Sequence, residues 1–134
     1  MASVPKYAYL DTSAFVKLCW PERESAALES YLRAWPLRVS SSLLRTEALR
    51  VAQRQPVPPV GSVQNALRRI ALIDVDRPLL RQAGLLPPPA IPSLDAIHLA
   101  AAASLGPDLG VLVTYDQRMA AGADAQGFVV VAPR

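Results

Sequence analysis

The sequence predicts an α/β fold with a mainly parallel central sheet flanked by helices, and three observations carry that expectation. Short apolar runs suited to strands alternate along the chain with segments of helical period. Two of those runs, ending at Leu10 and at Thr114-Tyr115, pass straight into a helical segment with a carboxylate at the junction, Asp11 and Asp116. In an open α/β sheet, ligands bind in the crevice outside the carboxyl ends of the strands, so both acids are placed for chemistry. The length, 134 residues, suits one domain spanning 1–134, and no internal repeat argues otherwise.

The elements follow in order. After the first strand, Thr12 to Cys19 reads as a short helix stopped by Pro21. Glu22 to Trp35 is amphipathic, with Leu28, Tyr31, Leu32 and Trp35 at i, i+3, i+4 and i+7. Leu37 to Ser41 is a short strand, and Ser41 or Ser42 is expected to cap a helix from Leu43 to Gln53. Leu44, Glu47, Ala48 and Val51 share one face of that helix, which turns Glu47 inward. Residues 55–61 hold three prolines and a glycine and read as a loop, followed by a helix from Ser62 to Arg69. Ile70 to Val75 is a strand. Asp76 then caps a helix that starts near Pro78 and runs to Leu85, with Asp74 a solvated neighbour.

Leu86-Pro87-Pro88-Pro89-Ala90-Ile91-Pro92 is expected to be stiff and extended, its pieces favouring polyproline II. It delivers the chain to an Ala-rich helix from Ser93 to Ala103, with Asp95 in the first turn, where the helix dipole favours an anion. Gly110 to Thr114 is a strand buried on both faces if the sheet is parallel. Gln117 to Ala121 begins a helix that Gly122 and Gly127 end, and Phe128 to Val131 is the last strand.

Composition bounds the function. No apolar run approaches the roughly 20 residues that span a bilayer, and residues 1–6 lack the layout of a secretory signal. The single cysteine, Cys19, makes no internal disulfide and reads as a small buried hydrophobe. A cytoplasmic location with no membrane partner is therefore expected. The net charge of +3 is a mild excess compatible with a polyanion. Twelve of the fourteen basic residues are Arg, the side chain suited to bidentate phosphate contact, although GC-rich coding enriches Arg as well.

Asp11, Glu47 and Asp95 each have a plainer reading. Asp11 is a good helix cap. Glu47 has Arg50 or Arg54 as a nearby ion-pair partner, or sits at the edge of its apolar stripe. Asp95 caps its helix unless Ser93 does so. His98, the only histidine, reads as a packed or hydrogen-bonded helix residue, since one His without a second His or Cys makes no zinc site. If Asp11, Glu47, Asp95 and Asp116 instead converge, their repulsion needs an answer. At about 4 Å two unit charges repel by roughly 1 kcal/mol in water and about 4 kcal/mol at an effective dielectric near ~20. Such a set takes up protons or holds a cation. Oxygen donors alone select a hard ion, Mg²⁺ or alternatively Mn²⁺. A hard ion in an acidic pocket on a mildly basic domain suggests phosphodiester hydrolysis, with arginines receiving the substrate backbone.

Leu10-Asp11-Thr12-Ser13, Glu47, Leu94-Asp95-Ala96-Ile97-His98-Leu99-Ala100 and Thr114-Tyr115-Asp116, in this order and spacing, resemble the PIN-domain ribonucleases. Within them, the chain is similar to the VapC-type toxins of bacterial toxin–antitoxin pairs, over nearly its whole length. The resemblance implies a single Rossmann-like PIN domain in which Asp11, Glu47, Asp95 and Asp116 bind the metal. It further implies that the hydroxyls of Ser13 and Thr114 help to orient water or carboxylate. The expected activity is metal-dependent endonucleolytic cleavage of structured RNA such as tRNA or rRNA, by a homodimer that a cognate antitoxin silences, commonly with a basic side chain pushed into the site. Pro56, Pro58 and Pro59 depart from the family pattern and bear on dimer geometry and antitoxin grip. Arg45, Arg50, Arg68, Arg69 and Arg118 are candidate RNA contacts.

Two rivals remain. A phosphatase of the haloacid-dehalogenase type also opens with strand, Asp and loop, but needs a second acid where this chain has Ser13. A catalytically inactive module that binds metal and nucleic acid is the rival from another class, and metal titration with and without RNA cleavage separates the two.

Overall fold

The computed structural model describes residues 4–134, so the first half of the N-terminal stretch examined for a secretory signal lies outside it. Five strands form one parallel sheet in the order β3-β2-β1-β4-β5. They are β1 (Tyr7–Leu10), β2 (Leu37–Ser41), β3 (Ala71–Ile73), β4 (Leu109–Val113) and β5 (Val130–Val131). The seven α-helices of the described residues are α1 (Thr12–Phe15), α2 (Ser25–Leu32), α3 (Leu44–Ala52), α4 (Val60–Leu67), α5 (Arg77–Gly84), α6 (Ser93–Ala103) and α7 (Gln117–Ala125). Strand order runs outward from β1 in both directions, so β1 and β4 flank the point where it reverses. That point is where a crevice opens at the carboxyl ends of the strands.

Side chains alternate along a strand, and the two faces of the sheet bury different helices. Tyr9, Val39 and Leu112 pack with residues of α5, α6 and α7, including Leu79, Leu99 and Met119. Ala8, Leu10, Val111 and Val113 face the other way, onto Ala14, Leu28 and Leu32. A third cluster, beside the sheet, joins Phe15, Val16 and Cys19 to Leu44, Ala48, Ala52 and Val63 of α3 and α4. Cys19 is buried there as expected, and burial pushes its thiol up to about 12.

Several local expectations are corrected. Ser41 and Ser42 do not cap α3: Ser41 is buried in β2, and the Ser42 hydroxyl accepts from Val75 N instead. α4 begins at Val60, inside the stretch read as loop, so Ser62 lies within the helix. α2 starts three residues later than expected, at Ser25, after a turn in which Ser25 Oγ accepts from Glu22 N. The 86–92 segment bends rather than running extended, with Ile91 N bonded to Pro88 O. Neither Ser93 nor Asp95 caps α6, whose N-cap position is Pro92. Gly122 does not end α7 but lies within it, where an added Cβ would come 3.0 Å from Leu99 Cδ1. Its role is close approach to α6; Gly127, at φ +82°, follows the helix end as expected.

Candidate active site

β1 and β4 are bonded neighbours, so their carboxyl ends bring Asp11 and Asp116 to one edge of the sheet. Glu47 reaches the same edge from α3 and Asp95 from the first turn of α6. All four line one cleft of about 320 Å³, together with Thr12, Ser13, His98 and Arg118.

Asp11 is the most enclosed of the four, 4% exposed. It does cap α1, accepting Ala14 N at 3.0 Å, but it does more. Ser13 Oγ donates to Asp11 Oδ1 at 2.7 Å and Thr114 Oγ1 to Oδ2 at 2.5 Å. The two hydroxyls are in turn fixed by the other strand's exit, accepting from Tyr115 N at 2.9 Å and Asp116 N at 3.1 Å. Burial pushes the Asp11 carboxyl above its ordinary value, against the pull of these hydrogen bonds. Among the described residues no Lys or Arg pairs with it.

Glu47 does not pair with Arg50 or Arg54. Its Oε1 accepts from Thr12 Oγ1 at 2.7 Å and lies 2.6 Å from His98 Nε2. Burial acts to raise this carboxyl, but the hydrogen bond and field of His98 and the Thr12 hydroxyl outweigh it, and the net shift is downward. Asp95 Oδ2 accepts from Arg118 Nε at 3.1 Å, with the Arg118 side chain 67% exposed. Asp116 caps α7, its Oδ1 accepting from Arg118 N and Met119 N. Of the five arginines considered, only Arg118 lines the cleft.

Three contributors escaped the sequence: Thr12, Arg118 as a partner of Asp95, and the pair Tyr9–His98. His98 stands three residues after Asp95, a spacing that puts both on one helix face and was the available signal. Thr12 and Tyr9 bracket Asp11, but only the tertiary structure brings either to Glu47.

The donor set fits a hard divalent ion: carboxylate oxygens on one cleft, and a buried Asp11 with no cationic partner. It is not a closed cage, for no three His, Cys, Asp or Glu among the described residues are grouped closely enough to hold a metal ion between them. Mg²⁺ does not require one, since it typically takes one or two carboxylates and keeps several waters.

The PIN domain family model matches residues 8–124. Three ribonucleases of Mycobacterium tuberculosis are similar: VapC46, 46% identical over 125 residues; VapC35, 41% over 132; and VapC47, 36% over 132. Each comparison covers 93% of this chain and 96% of the relative. The crystal structure of M. tuberculosis VapC20, described as a toxin cleaving the sarcin–ricin loop, matches with a TM-score of 0.71 at 17% identity. It covers 94% of this chain and 99% of that one. VapBC2 from Rickettsia felis, bound to a DNA fragment from their promoter, matches at 0.67 and 13% identity, over 96% and 99%. At such low identity these two show the fold alone. The chain belongs to the PIN-domain family and, within it, to the VapC-type ribonucleases. That membership removes the phosphatase reading. Among the described residues no helix is long and apolar enough to cross a membrane.

Proposed function

We propose that this protein is a metal-dependent endoribonuclease toxin that hydrolyses phosphodiester bonds in structured RNA and is silenced by a cognate antitoxin. The observation that carries the reading is the convergence of Asp11, Glu47, Asp95 and Asp116 on one cleft at the exits of adjacent parallel strands. These four would hold Mg²⁺, with Mn²⁺ as the alternative. When bound, the ion supplies positive charge to the phosphoryl oxygens and makes hydroxide available near neutral pH.

The chain's own residues set the rest. Ser13 and Thr114 lock both oxygens of Asp11, so that carboxylate enters the reaction already oriented. Glu47, Asp95 and Asp116 are each tied through one oxygen: Oε1, Oδ2 and Oδ1 respectively. The second oxygen of each is left for a cation or its waters. Arg118, at the rim, is placed to take an RNA phosphate once Asp95 engages a metal. The exposed Leu80 and Leu85, beside an apolar hollow between α5 and α6, offer a surface for homodimer contact. An antitoxin would compete for the acid cleft with a basic side chain, much as Arg118 does within the chain.

The test is cleavage of total cellular RNA by the purified protein with Mg²⁺, Mn²⁺ or chelator, beside Asp95→Asn. Discrete fragments that require both metal and Asp95 are expected, with activity falling at least ~100-fold in the variant. The second reading is a binding module that holds metal without turnover. Metal binding without cleavage of any cellular RNA would decide for it.

A further inference from the structure

We propose that His98 is a positioning residue for Glu47: braced by Tyr9, it holds one carboxylate oxygen so that the other faces the cleft. The inference rests on the nuclease reading above and adds to it a role for a buried pair that the four acids leave unused. His98 is 2% exposed and Tyr9 is fully enclosed. The Tyr9 hydroxyl lies 2.7 Å from His98 Nδ1, and the rings meet edge to face with centroids 5.8 Å apart. On the far side of the imidazole, Nε2 lies 2.6 Å from Glu47 Oε1.

The direction of these bonds follows from the donors at hand. A carboxylate accepts only, so Nε2 must carry the proton it shares with Glu47. In a neutral ring Nδ1 is then the acceptor, and the Tyr9 hydroxyl donates to it. With the ring neutral, the row is directed from phenol through imidazole to carboxylate, and it fixes one ring orientation.

Thr12 completes the clamp by donating to the same Oε1. Tyr9 and Thr12 both bracket Asp11, on the strand end and helix start that carry it. The two acids are therefore held to one another: Thr12 reaches Glu47 directly and Tyr9 reaches it through His98. No protein hydrogen bond to Glu47 Oε2 is present among the described residues, which leaves that oxygen for the cleft.

The experiment uses the two amides that each mimic half of an imidazole. His98→Gln puts its amide nitrogen where Nε2 stands and keeps the bond to Glu47. His98→Asn puts its polar group where Nδ1 stands and keeps only the Tyr9 side. Mn²⁺ affinity by titration calorimetry, kcat and KM for RNA, and the melting temperature are measured for both, beside Asp11→Asn. We expect His98→Asn to lose roughly 10- to 100-fold in Mn²⁺ affinity and in kcat with KM little changed, and His98→Gln to retain most of both. Equal loss in the two variants, tracking melting temperature, would mean that His98 only fills the core and would overturn the proposal. A metal-independent arm is the proton NMR spectrum of the metal-free protein. A strongly deshielded His98 Nε2–H resonance should be present in the wild type and shifted in Glu47→Gln, and its absence overturns the proposal whatever the activity. If the wild type binds Mn²⁺ but cuts no RNA, the nuclease reading fails while the affinity and NMR arms still decide the role of His98.

Discussion

Asp11 and Glu47 border the same cleft, yet their surroundings push their carboxyl groups in opposite directions. For Asp11, burial wins, so the folded pKa lies above the unfolded value and the folded state keeps a proton longer. Stability then falls as pH rises through that interval, and above it the cost of a buried charge is borne in full. Asp11→Asn should therefore melt higher than the wild type at pH 7 in the absence of metal, with the gain vanishing near pH 3. Thermal scans across that range check it, and an unchanged or lower melting point at pH 7 counts against an uncompensated charge. Glu47 has the reverse sign: its contribution is present above the unfolded value and is lost as pH falls through the lowered folded one. The inward turn of Glu47 was legible from Leu44, Ala48 and Val51. Its partner was not, because Arg50 and Arg54 are near in sequence while His98 lies 51 residues away.

Among the elements, those set by local rules matched expectation best. α5 starts after Asp76, which accepts from Leu79 N, and α6 occupies the span read for it. Elements whose limits depend on neighbours did not. α7 runs through Gly122 because that glycine lets α6 approach, a reason invisible from within α7. β5 is only two residues long, since pairing with β4, not the apolar run 128–131, sets its length. Gly110 in β4 makes the same point: an added Cβ would lie 2.3 Å from the ring of Trp35. Gly110→Ala should displace that ring and cost about 1–3 kcal/mol. Denaturant unfolding would show the loss, accompanied by a red shift in tryptophan fluorescence. A variant as stable as the wild type, with unchanged emission, would mean that Trp35 yields freely.

For the molecule as a whole, metal binding and folding should be linked, because ions that bind only the folded cleft stabilise it by mass action. Mn²⁺ at about 100 times its dissociation constant should add about 2.7 kcal/mol. The midpoint should rise by roughly 10 °C for a chain of this size. Chelator should reverse the rise and Asp11→Asn should lack it; a wild-type midpoint indifferent to Mn²⁺ would remove the metal site. By itself, the sequence determined the parallel α/β class, the strand exits at Asp11 and Asp116, the helices carrying Glu47 and Asp95, and the family. All of these rest on hydrophobic period, turn chemistry and short motifs, which act over a few residues. The tertiary structure alone decided that the Ser13 and Thr114 hydroxyls, from α1 and the exit of β4, each take one oxygen of Asp11, and that Arg118 sits on Asp95. It also decided that Tyr9, His98 and Thr12 hold Glu47. A hydrogen bond between side chains tens of residues apart depends on strand order and helix approach, and neither is written in local period.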